Sequence, residues 1–118
     1  MKSTITGWGK CVPDNVVTND DMATFIDTSD EWIQQRTGIK ERRFSHVNNS
    51  DMATVAGLRA IATAGLQPED IDVVILATCT PDSIVPSAAA HVQKKMGCVN
   101  AIVYDVNAAC AGFLYAMQ

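Results

Sequence analysis

Cys110 is the residue best placed to do chemistry. It sits in Asp105-Val-Asn-Ala-Ala-Cys-Ala-Gly-Phe-Leu-Tyr115, where an apolar strand-like run gives way to a helix-like one. A thiol at such a turn faces unpaired backbone N–H groups. These stabilise thiolate over thiol and can donate to a developing oxyanion. Ala109, Ala111 and Gly112 keep the neighbourhood small, which leaves room for a thioester and suits acyl transfer. Cysteine is also a common small core side chain, and local residue types do not separate the two readings. A second candidate pair is Trp32 and Arg36, four apart and on one helical face. An indole offers a broad apolar surface and a guanidinium a planar, permanently charged donor fork. By spacing alone, Trp32 reads rather as core and Arg36 as a surface or ion-pairing residue.

The remaining thiols, Cys11, Cys79 and Cys98, form no CxxC pair, and His46 and His91 stand far from any cysteine cluster. A metal site is not expected. Cys79 and Cys98 read as structural, Cys11 as a loop or strand-end residue, and both histidines as surface or helix-face residues. Net charge is -4, with nine Lys and Arg and no basic stripe, so nucleic acid is not an expected partner. No apolar run approaches the roughly 20 residues of a membrane span. The polar, turn-rich start does not read as a signal peptide. A cytoplasmic protein with reduced thiols and no prosthetic group is expected.

Positioning these groups requires a packed scaffold. The chain has 118 residues, 47% of them hydrophobic, enough for a real core. Ser3 to Trp8 and Asn15 to Val17 are strand candidates. Thr18 or Asn19 caps a short helix reaching about Ile26, with Asp20 and Asp21 in its first turn. Ser29 caps a clearer helix that Gly38 ends. Ile39 to Phe44 reads as extended. Ser50 caps a helix to Ala64, followed by Gly65, and Pro68 opens a short turn. Val73 to Cys79 is apolar and β-branched, which predicts a strand covered on both faces. A helix from Pro86 or Ser87 to Met96, a strand over Ala101 to Val106 and a helix from Ala111 follow. This β-α-β-α order predicts a layered α/β domain with parallel neighbours. Ending at Gln118 in mid-helix suggests part of a larger protein; a short terminal helix is the alternative.

Several ordered segments carry a family resemblance. They are Ile5-Thr-Gly-Trp-Gly-Lys-Cys-Val-Pro13, Thr28-Ser-Asp-Glu-Trp-Ile-Gln-Gln-Arg-Thr-Gly-Ile39, Glu41-Arg-Arg43, Ile75-Leu-Ala-Thr-Cys-Thr-Pro-Asp82, Pro86-Ser-Ala-Ala89 and Asn107-Ala-Ala-Cys-Ala-Gly-Phe113. Together the chain resembles the N-terminal third of beta-ketoacyl-acyl-carrier-protein synthase III, a thiolase-like condensing enzyme. The resemblance implies an incomplete N-terminal half of a five-layer alternating α/β architecture, a partial domain over 1–118 that ends in the nucleophile-bearing helix. It implies a homodimeric full-length parent that takes an acyl group from acyl-CoA onto Cys110 and condenses it with malonyl-acyl-carrier protein. It assigns Trp32 to adenine stacking and Arg36 to the nucleotide's phosphates, with Thr28 and Thr37 in the same neighbourhood.

The resemblance also implies that a histidine and an asparagine of the later half drive decarboxylation, and neither His46 nor His91 matches that histidine. At the position before Pro86, members from common bacterial fatty-acid systems often carry phenylalanine; here it is Val85. The family's loop there reaches towards the neighbouring subunit's acyl pocket, so the smaller valine leaves room for a larger or branched primer, unless a neighbouring residue fills the space. Two other readings stand beside initiation of fatty-acid synthesis. One is a secondary-metabolite acyltransferase or condensing enzyme built on the same cysteine. The other is a non-catalytic assembly piece, if the native chain is 118 residues.

Overall fold

The computed structural model describes residues 3–118, which divide into two compact units. The smaller, Val12–His46, is built on an antiparallel pair of strands, β1 (Asn15–Thr18) and β2 (Glu41–Phe44), with Asn15 opposite Phe44 and Thr18 opposite Glu41. Between them lie helices α1 (Asn19–Ala23) and α2 (Asp30–Thr37). Thr18 caps α1 reciprocally: its hydroxyl accepts from the Asp21 amide at 3.1 Å, and the Asp21 carboxylate accepts from the Thr18 amide at 2.8 Å. This hydrogen bonding to Thr18 holds the Asp21 carboxyl below its ordinary pKa. The helix stops at Ala23, three residues short of the sequence expectation, because Thr24 turns its hydroxyl back onto the Asp21 carbonyl. Ser29 caps α2 by accepting from the Trp32 amide, and Gly38 closes it in the left-handed conformation at φ 71°.

The polar centre of this unit is Asn19, 1% exposed. Its side-chain amide donates to Asp30 at 2.7 Å and to the Ile39 carbonyl at 2.8 Å, and its oxygen accepts from Arg42 at 2.7 Å. One buried side chain thus ties α1 to the start of α2 and to β2, with its hydrogen-bonding capacity largely used.

The larger unit comprises Val47–Gln118 with the segment ending at Cys11. It contains α3 (Asn49–Ala64), β3 (Val73–Ala77), α4 (Ala88–Met96), β4 (Ile102–Val106) and α5 (Gly112–Ala116). The strands pair in parallel, from Val73 opposite Ile102 to Ala77 opposite Val106, with α4 as the crossover. This realises the expected β-α-β order. Ile61, Val74, Val92, Met96, Cys98 and Ala101 form the core, joining α3 and α4 to one face of the sheet.

Three expectations need correction. The strands are covered unequally in this chain: Val74, Leu76 and Val103 pack into the core, whereas Val73, Ile102 and Tyr104 are exposed. The α3–α4 layer covers one face; on the other, α5 packs only at the carboxyl end of the strands, where Gly112 meets Ala77. Residues 3–8 form no strand; they run beside α3, where a Cβ on Gly7 or Gly9 would collide with the Ala60 or Ala56 carbonyl. Finally, α3 begins after Asn48, whose amide donates to Asp51 at 3.1 Å. Ser50 lies inside the helix and fully buried.

Candidate active site

The turn after β4 is where sequence and backbone agree on something unusual. Ala109, Cys110 and Ala111 form one turn of 3-10 helix leading into α5. Ala109 stands at φ 44°, the one non-glycine residue with positive φ among the described residues. A β-carbon in that region costs of order 1–3 kcal/mol, a cost that the surrounding structure must offset. The fold holds the turn from both sides. The Ala111 amide donates to the Ala108 carbonyl at 2.9 Å. Gly112, fully packed, lies so close to β3 that an added Cβ would sit 3.3 Å from the Ala77 Cβ. Cys110 itself is exposed, not a core side chain. In this chain the thiol stands at a strained strand-to-helix turn.

Cys98 makes the contrast. It is wholly buried, and desolvation, with a lesser effect from Glu69, pushes its thiol pKa up. It is the structural cysteine expected. Cys79 is exposed, just past the end of β3, and Cys11 is half-buried. Among the described residues no group of three or more His, Cys, Asp or Glu converges as a metal site.

Strand register places a residue that sequence motifs did not single out. Asp105 lies two positions after Val103 in β4 and so shares its helix-covered face. Its carboxylate accepts from the Ala88 amide at 2.8 Å and the Ala89 amide at 2.7 Å. The first turn of α4 is thereby capped from the strand that leads to Cys110. The loop before α4 is tied down at its other end as well. Asn49 donates to Thr78 at 2.6 Å, and the Ser50 amide donates to Asp82 at 3.1 Å. This bonding to Ser50 keeps the Asp82 carboxyl below its ordinary pKa. Lys95 reaches back from α4 to Ser50 at 2.7 Å and Asp51 at 2.6 Å, and its hydrogen bond lowers the Asp51 pKa. Val85 stands at the tip of this loop, 85% exposed, before a cis Val85–Pro86 bond.

The other candidates lie in the smaller unit. Ile33 anchors α2 by burial, which turns Trp32 outwards at 55% exposure. The Arg36 guanidinium lies 5.7 Å from the centre of the indole ring, a cation–π contact. Trp32 and Thr28, with Asp27 and Ser29, line a cavity of 310 Å³. The Thr28 hydroxyl is buried without a hydrogen-bond partner. Thr37 differs from these: its hydroxyl donates to the Ile33 carbonyl at 2.7 Å and accepts from the Ile39 amide at 3.1 Å, closing the helix end. Both of its strong hydrogen-bonding roles are thus used by the backbone.

Known proteins match this arrangement closely. Beta-ketoacyl-acyl-carrier-protein synthase III 2 of Vibrio cholerae is 58% identical over 114 residues, 97% of this chain and 32% of that protein. The crystal structure of 3-oxoacyl-acyl-carrier-protein synthase III from Aquifex aeolicus superposes with a TM-score of 0.92 at 46% identity, over 98% of this chain and 38% of that one. Over 97% of its length the chain is similar to beta-ketoacyl-acyl-carrier-protein synthase III proteins. Its layers form part of the thiolase-like fold that this synthase family shares. A priming beta-ketosynthase from a polyketide biosynthetic pathway is also similar, with a TM-score of 0.88 at 36% identity, over 95% of this chain and 34% of that one. No protein-family model matches the chain. The chain spans about a third of the length of these synthase relatives. Among the described residues no helix is long and apolar enough to cross a membrane.

Proposed function

We propose that this chain supplies the acyl-accepting cysteine of a condensing enzyme that starts fatty-acid synthesis. In the complete enzyme the Cys110 thiolate attacks the carbonyl of acyl-CoA, and CoA leaves as its thiol. Malonyl-acyl-carrier protein then enters. Loss of carbon dioxide leaves a carbon nucleophile that attacks the acyl-cysteine and releases a beta-ketoacyl-carrier protein and the free thiolate. The observation that carries this reading is the exposed thiol of Cys110 directly after Ala109 at φ 44°. A strained turn that displays a nucleophile is expected where the reacting geometry, not stability, is the requirement.

Trp32, Arg36 and Thr28 are the proposed CoA contacts. Their support is the outward face of α2, the cavity beside Trp32 and the unpartnered Thr28 hydroxyl. Thr37 is retained in that neighbourhood through its backbone role. Val85 is proposed to border the acyl chain, with a larger or branched primer as the substrate. The complete enzyme acts as a cytoplasmic homodimer, with acyl-CoA and acyl-carrier protein as partners and no metal or prosthetic group. The 118 residues form a partial N-terminal thiolase-like domain, and alone they are expected to give negligible condensation.

A second reading, condensation in secondary metabolism, is favoured by the likeness to the priming beta-ketosynthase. A condensation assay on the complete protein with malonyl-acyl-carrier protein separates the two. Product from acyl-CoA and malonyl-acyl-carrier protein supports initiation of fatty-acid synthesis; turnover only with another acceptor supports the second reading.

A further inference from the structure

Ile84 and Val85 are adjacent, apolar and β-branched, and both are almost fully exposed, at 88% and 85%. Within this chain the loop that carries them is held by polar contacts at its base. Two are present. The Ser83 hydroxyl donates to the Pro86 carbonyl at 2.7 Å, closing the loop beneath Ile84 and Val85. His91 Nε2 lies 3.1 Å from the same Ser83 oxygen. A serine hydroxyl has one proton, and here it is directed to Pro86. The His91 contact is therefore an Nε2–H donating to Ser83.

His91 sits on a firm base. It is in α4, whose Ala88, Ala89 and Val92 are buried at 0%, 0% and 3% exposure. The carboxylate of Asp105 fixes the first turn of the same helix. The loop tip is thus held to the helix by a relay from His91 through Ser83 to Pro86.

We infer that His91 and Ser83 are positioning residues that set where Val85 stands, and so set which acyl groups Cys110 accepts. This rests on the reading of Val85 as a border of the acyl site. Neither residue needs to touch the substrate. The relay acts by restricting a side chain whose misplacement by a methyl's width would change the room for a branched primer.

The test uses the complete enzyme and follows acylation of Cys110 by acetyl-CoA and by isobutyryl-CoA, reading the ratio of their kcat/KM values. His91→Leu removes the donor and is expected to change the ratio by about threefold or more. His91→Gln keeps an N–H donor and is expected to hold the ratio near that of the parent. Ser83→Ala removes the same relay from its other end and serves if His91→Leu does not fold. Equal slowing of both substrates, or an unchanged ratio, overturns the inference, because a merely structural histidine would act on both alike. Failure of His91→Gln to restore the ratio also overturns it. Val85→Ala in parallel tells the two failures apart. If Val85→Ala alters the ratio and the relay variants do not, the relay is wrong. If Val85→Ala is also silent, the reading of Val85 itself is wrong.

Discussion

Asp105, near the end of β4, accepts a 2.7 Å hydrogen bond from the backbone amide of Ala89 in the first turn of α4. The strand that delivers Cys110 is thereby fastened to the helix that follows the Val85 loop. Asp105→Ala leaves two amides of the α4 first turn without this acceptor and should cost about 2 kcal/mol of stability in the complete protein. Asp105→Asn keeps one acceptor oxygen and should cost less. Urea unfolding of the two variants checks this; equal stability of Asp105→Ala and the parent would show that the cap is dispensable.

The seat of Gly112 on Ala77 gives a second expectation. A Cβ at 3.3 Å from a neighbouring Cβ already presses on β3, and a branched side chain presses further. Gly112→Val should displace the start of α5 and slow Cys110 acylation by about a hundredfold. Ala77→Gly in the same molecule should recover part of the rate. Stopped-flow acylation measures both, and a full rate in Gly112→Val would show that the seat does not position the thiol.

For the smaller unit the expectation concerns affinity. Stacking of a base on an indole is worth about 1–3 kcal/mol. Trp32→Ala should therefore raise the KM for acyl-CoA by about tenfold while leaving kcat little changed. Arg36→Ala should raise KM as well, and the variant's KM should depend less on salt than the parent's, since the proposed phosphate-pairing charge is gone. Should both variants keep the parental KM, the CoA contacts lie elsewhere.

These elements were unequally legible in the sequence. Caps and turns were legible because their chemistry is local: Thr18 with Asp21, Ser29 with Trp32, Gly38 at the end of α2, Pro68 at a turn. The cysteine was legible as a candidate from its neighbours, and its exposure and the Ala109 backbone were not, because both depend on how β4 and α5 are held. Asn19 was hidden for the same reason. Its partners, Asp30, Ile39 and Arg42, are 11 to 23 positions away, and no periodicity marks them. Residues 3–8 carried a strand's pattern, yet their glycines serve close approach to α3. Asp105 could have been found: placing it two after Val103 puts it on the covered face, where a carboxylate needs donors.

Stability in acid should report the tie between α3 and the loop before α4. The folded-state pKa of Asp82 is lowered from the ordinary 3.8, chiefly by hydrogen bonding to Ser50. Its contribution is present above the unfolded value and is lost as pH falls through the folded one. Unfolding midpoints of the parent should drop below about pH 4, and Asp82→Asn should flatten that limb while starting less stable at pH 7. An acid limb of the same slope in both proteins would remove Asp82 from the account.

Cys110 is the proposed acyl carrier of the complete enzyme. The direct measurement is intact and peptide mass spectrometry of the complete protein after exposure to acyl-CoA without malonyl-acyl-carrier protein. One added acyl group per chain is expected, on the peptide containing Cys110, released by hydroxylamine as a thioester is, and absent from Cys110→Ala. An acyl group retained by Cys110→Ala, or located on Cys79 or Cys11 in the parent, would contradict it.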